Sequence, residues 1–165
     1  MVTNRKVEVD RISIISNKTF EEAVAALEAS VGRPNMAEYM KEMMETKTYA
    51  EMEAVMQKAA AGTGFMIFMS LDLGWVVRRE SGLDTPKIKR YLIGNGLIMK
   101  EMTKHIPDAG SYAPVTILVD ERPDGVHFSY DRMVSFLTPY ENQEALAVAH
   151  DLDLKVENLL MKAAI

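Results

Sequence analysis

The spacing of hydrophobic positions changes along the chain, and each change marks an element. From Arg5 to Ser16, Val7, Val9, Ile12, Ile14 and Ile15 fall at strand spacing with β-branched side chains; the phase slips after Asp10, which predicts a first strand with a bulge or bend. Thr19 and Glu22 have the spacing of a capping box, in which each side chain satisfies the other residue's free backbone N–H. Phe20, Ala23, Val24, Leu27 and Val31 then repeat at helical intervals, predicting a helix over 19–31 that Gly32 and Pro34 stop.

Between Asn35 and Ala61 the composition changes, because six of the thirteen methionines lie here. Met36, Tyr39, Met40 and Met43 make one helical stripe. After a second capping box at Thr48 and Glu51, Met52, Val55, Met56 and Ala59 make another. Residues 33–61 read as an inserted, methionine-rich helical hairpin that turns at Thr46 to Thr48.

Gly62 and Gly64 release the chain into a strand, Phe65 to Leu71, followed by a short helix over 73–80 that closes at Gly82. An extended run from Pro86 to Ile93 breaks at Gly94-Asn95-Gly96, and Leu97 to His105 is helical up to Pro107. Val115 to Asp120 and Val126 to Tyr130 flank Arg122-Pro123-Asp124-Gly125, a turn signal that predicts an antiparallel hairpin. Thr138, Pro139 and Glu141 have the spacing of a capping box with proline in the first turn. They predict the start of a long final helix with the stripe Ala145, Val148, Ala149, Leu152, Val156, Leu159, Leu160 and Ala163. The order implies a single α+β domain over 1–165, a mainly antiparallel sheet of about five strands packed with helices.

Composition narrows the function classes. The net charge of −5, from 19 basic and 24 acidic side chains, gives no field that would gather nucleic acid. The absence of cysteine removes disulfides, thiolate metal sites and thiol catalysis. The first ten residues lack the apolar core of a signal peptide, and no run approaches a membrane span, so a cytoplasmic protein with no membrane partner is expected.

Several strings, in this order, resemble the domain-of-unknown-function family 302: Thr19-Phe20-Glu21-Glu22-Ala23, the Gly64-Phe65 strand with its following helix, Tyr91-Leu92-Ile93-Gly94-Asn95, and Ala113-Pro114-Val115-Thr116-Ile117-Leu118-Val119-Asp120-Glu121. The resemblance covers nearly the whole chain except 33–61. It implies a compact, homodimer-forming α+β domain with a small-molecule pocket, and it brings no catalytic residues or cofactor. Members often carry Gly-Asn-Pro where this chain has Gly94-Asn95-Gly96.

Candidate sites each have two readings. Gly94-Asn95-Gly96 joins a strand to a helix, where backbone N–H groups can hold an anion and Lys87, Lys89 and Arg90 would assist. Alternatively Asn95 simply caps the helix, with the glycines at positive φ. His127, Ser129 and Asp131 alternate on one face of the hairpin and could form an acid-base set with Asp120, or merely its wet face. The three histidines share no ligand spacing, so no metal site is expected. The methionine stripes read first as core filler, and otherwise as an adaptable binding surface; a thioether copper site does not suit a chain without an export signal. Met44 falls off the stripe. Trp75 can pack in the core or line a pocket, and Tyr112 and Tyr130 bracket the hairpin as possible phenolic donors. Together these features suggest a binding or regulatory domain for a small anionic or amphipathic molecule. An enzyme using the polar set at the hairpin and a protein-interaction module are the alternatives.

Overall fold

A computed structural model describes residues 1–165. Five strands, β1 (Arg11–Ser16), β2 (Met66–Asp72), β3 (Ile88–Gly94), β4 (Val115–Arg122) and β5 (Gly125–Asp131), form one sheet in the order β1-β5-β4-β3-β2. Every neighbouring pair is antiparallel. The helices are α1 (Phe20–Ala29), α2 (Met36–Glu45), α3 (Tyr49–Ala59), α4 (Gly74–Ser81), α5 (Gly96–Thr103), α6 (Met133–Leu137) and α7 (Gln143–Ala164). The α+β class, the antiparallel sheet and the long last helix are those expected from the sequence.

Local chemistry explains the boundaries. Thr19 and Thr48 form complete capping boxes with Glu22 and Glu51, so α1 and α3 begin where the spacing places them. Gly82, at φ 71°, ends α4 in the left-handed conformation that glycine adopts without a Cβ penalty.

The sheet has two unlike faces. Tyr91, Ile93, Ile117, Val119, Phe128 and Tyr130 alternate onto the face under the helices and are fully buried. Ala23 and Leu27 of α1, Met102 of α5, and Leu152, Val156 and Leu160 of α7 meet them. Each large apolar side chain so buried contributes roughly 1.5–3 kcal/mol. The other face carries Ser13, Ile15, Arg90 and Thr116, all exposed, which is the usual arrangement of a sheet packed on one side. At the Asp131 end of β5, the buried Asp153 of α7 replaces an N-cap for α6. Its Oδ1 accepts from the Tyr130 hydroxyl at 2.5 Å and from the Met133 N–H at 2.8 Å, and Oδ2 accepts from the Val134 N–H at 3.1 Å. Burial pushes the Asp153 carboxyl above its ordinary value although these hydrogen bonds pull the other way.

Four expectations are corrected. The first strand starts at Arg11, because β5 ends opposite it at Asp131 and leaves Val7 and Val9 no partner. Residues 1–10 are irregular instead; Asp10 O accepts from the Arg132 N–H, and the Arg5 guanidinium lies 3.8 Å from the Tyr140 ring centre. The sheet's irregularity is in β2, between Ile67 and Met69, and not after Asp10. The long helix begins at Gln143 with Asn142 as cap, because the Thr138 hydroxyl donates to Val134 O and closes α6, while Glu141 turns left-handed at φ 54°. The methionine stripe is not core: α3 buries nothing, Tyr39 alone is buried on α2, and Met40 is 51% exposed.

Candidate functional site

Gly94 is the last ladder residue of β3, paired with Met66, and Gly96 is the first residue of α5. Neither adopts positive φ, which corrects the conformation expected of them in the capping reading. Asn95 does cap the helix: its Oδ1 accepts from the Leu97 N–H at 2.9 Å, and its Nδ2 donates to Gly64 O at 2.9 Å. Both ends of that amide are therefore engaged. A Cβ on Gly94 would stand 3.2 Å from the Pro114 Cβ, so a side chain here would press on the loop that enters β4.

Above this junction lies a cavity of about 280 Å³. Met40, Met43 and Met56 of the α2–α3 hairpin form its outer wall; Phe68, Ile98, Met99 and Met102 face them, with Ala113, Pro114 and Val115 at one end. Eleven of its fifteen lining residues are hydrophobic, and its polar side chains are those of Tyr39 and Asn95. Such a space accepts an apolar body and offers little to an ion.

The basic residues singled out with the junction face elsewhere. Lys87 pairs with Glu21 at 2.5 Å and Lys89 with Glu28 at 2.8 Å, both on α1. Glu28 also accepts from the Tyr91 hydroxyl at 2.7 Å and pairs with Arg33 at 3.0 Å. Burial opposes ionisation of Glu28, but these donors and cations outweigh it and hold the carboxyl below its ordinary value; burial and the Glu28 charge push the Tyr91 hydroxyl up. Trp75 stands on α4, 56% exposed, beside a separate depression lined by Arg78, Arg79 and Leu83. The structure thus brings Gly94, Asn95 and Gly96 together with the methionines, and separates them from Trp75, Lys87 and Lys89.

At the hairpin, His127 and Ser129 are buried on the open face of the sheet, while Asp131 is held by Arg11 through contacts of 2.5 and 2.8 Å. Asp120, opposite His127 in the ladder, is taken by Arg122. The partners of His127 are residues that sequence reasoning missed: Ser13 Oγ lies 3.1 Å from Nδ1, and Asp124 Oδ1 2.9 Å from Nε2. Only the β1–β5 register could have named Ser13. A serine-histidine-aspartate chain has the right groups for nucleophilic chemistry, yet none of the three lines the methionine-walled cavity. Tyr130 spends its hydroxyl on Asp153, whereas Tyr112 stacks on Phe136, so the two phenols do not share a pocket.

No group of three or more His, Asp or Glu side chains is placed to hold a metal ion, and no helix is long and apolar enough to cross a membrane.

No curated protein matches the sequence. The crystal structure of an uncharacterized conserved DUF302 protein from Bacillus stearothermophilus is similar in fold, with a TM-score of 0.66 over 93% of this chain and 97% of that chain at 12% identity. The family's sequence model matches residues 40–163, a stretch that takes in α3 and most of α2 and leaves out β1 and α1. By that match the chain belongs to the family described as Domain of unknown function DUF302.

Proposed function

We propose that the protein is a small-molecule-binding domain, and that its ligand is an apolar or amphipathic molecule held between the α2–α3 hairpin and the β3–α5 junction. The observation that carries this reading is the lining of the 280 Å³ cavity, in which thioethers from both helices of the hairpin face the apolar side chains of α5. Methionine side chains are flexible and polarisable, so such a wall adapts to ligands of different shape. Well-packed cores keep few voids larger than water, and an apolar cavity of about 150 Å³ already takes up benzene. A charged group on the ligand would stay at the mouth, since the lining is apolar apart from Tyr39 and Asn95 and holds no charged side chain.

The test is a thermal-shift and calorimetric screen with linear alcohols, fatty acids of medium length and single-ring hydrocarbons. A binder at a hundredfold excess over its Kd adds about 2.7 kcal/mol of stability. Ile98→Trp, which fills the cavity from α5, should abolish the gain while leaving the fold intact. No stabilisation by any of the compounds, or an undiminished gain in Ile98→Trp, would overturn the proposal.

A further inference from the structure

The geometry points to a second binding site, for a small planar carboxylate, on the other side of the Ala113–Val115 segment. A cavity of about 340 Å³ opens there, at the end of the uncovered sheet face. Its floor includes Leu92 and the buried Met133, and one wall is the ring pair of Tyr112 and Phe136, stacked with centres 4.5 Å apart and planes 14° from parallel. Locked by their own stacking, the two rings offer a rigid aromatic side against which the edge or face of an aryl ligand can pack.

The rim supplies the charge. Arg90 is exposed, its one side-chain partner is the Thr116 hydroxyl at 3.3 Å, and it has no carboxylate within ion-pair distance. The carboxylate that lines the same cavity, Asp131, is already held by Arg11 through Nε and an Nη. With Asp131 neutralised by Arg11, the charge of Arg90 is left uncompensated among the residues that line the cavity. A guanidinium matches a carboxylate through two parallel hydrogen bonds, and it is less strongly hydrated than an ammonium, so it gives up water readily to such a partner. A single guanidinium without an ion-pair partner, over a cavity in which six of the eleven lining residues are hydrophobic, suits one carboxylate on an apolar ring better than a multiply charged phosphate.

The test uses benzoate as probe and benzamide as its neutral counterpart, on the full chain, by calorimetry and by methyl NMR of Met133 and Leu92. Benzoate should bind with a Kd of about 1 mM or tighter and shift both methyl signals. Benzamide should bind about tenfold more weakly. Arg90→Gln should remove the preference for benzoate without changing the melting temperature, because Arg90 makes no ion pair. Ile98→Trp, in the methionine-lined cavity, should leave the preference for benzoate over benzamide unchanged, because it does not touch Arg90, and this separates the site from the one proposed above. Four outcomes would each overturn the inference: no benzoate binding, equal binding of benzamide, an unaltered preference in Arg90→Gln, or methyl shifts that spare Met133 and Leu92. The NMR readout on the unaltered protein decides the matter even if a variant misfolds.

Discussion

A Cβ placed on Gly96 would stand 3.0 Å from both the sulfur and the terminal carbon of Met56. The first residue of α5 and the outer wall of the apolar cavity are thus in direct contact, and the clash falls on the far end of a flexible side chain rather than on backbone. Gly96→Ala should be tolerated, with a stability change within about 1 kcal/mol, since alanine favours the helix by up to about that amount over glycine. Gly96→Val should fold as well but displace Met56, so the affinity for apolar ligands should change more than the melting temperature does. Parallel denaturation and ligand titration check this; a Gly96→Ala loss of several kcal/mol would show that Met56 cannot move.

Asp153 is the second position with a sharp expectation. Replacement by Asn keeps the shape but turns an amide N–H₂ toward one of the donors that Asp153 accepts from, the Tyr130 hydroxyl or the N–H groups of Met133 and Val134. The cost should be about 1–3 kcal/mol, the penalty of a buried donor left without a partner. Asp153→Ala, which leaves the Tyr130 hydroxyl and the Val134 N–H without their acceptor and the Met133 N–H with only the Tyr130 oxygen at 3.3 Å, should cost more. Urea denaturation of the two variants measures the difference.

For pH, Glu28 sets the direction. Its carboxyl lies below the ordinary range in the folded protein, so the ionised form is bound more strongly by the native state than by the unfolded one. That stabilisation is complete above the unfolded carboxylate range, near about 4.3, and is lost as the pH falls through the folded value. Glu28→Gln should therefore be less stable than wild type at neutral pH and show a flatter loss on acidification. Equal slopes in the two proteins would disprove the assignment.

The last helix supplies a contrast in packing. Leu152 is 3% exposed, belongs to the buried core cluster and lines the methionine-walled cavity from α7, whereas Met40 is half-exposed. Leu152→Ala should cost roughly 2–5 kcal/mol. Met40→Ala should cost under about 1 kcal/mol and act on ligand affinity instead. Chemical denaturation of the pair checks both.

What could be read in the sequence was whatever short-range chemistry decides. Thr19 with Glu22, Thr48 with Glu51 and the turn before Gly125 act over three or four residues, and the structure has them where the spacing puts them. Thr138 shows the limit: its spacing to Glu141 suits a capping box, but its hydroxyl is committed backward to Val134, and only the rival helix α6 makes that visible. The pairing of His127 with Ser13 joins positions 114 residues apart and depends on β1 taking the edge beside β5. The methionine stripes have ideal helical spacing, yet a stripe does not state whether its facing surface is close enough to fill the gap, and here a cavity remains. Lys87 and Lys89 look unpaired in sequence because Glu21 and Glu28 lie on a helix more than sixty residues earlier.

Ala113, Pro114 and Val115 line the methionine-walled space on one side and the Arg90 cavity on the other. A partition of three residues has no thickness in which to absorb a displacement: a guest that pushes it one way takes volume from its neighbour. If both chambers take a guest, their affinities should be coupled, and linkage is reciprocal, so whatever factor one guest imposes on the affinity of the second must be returned in full.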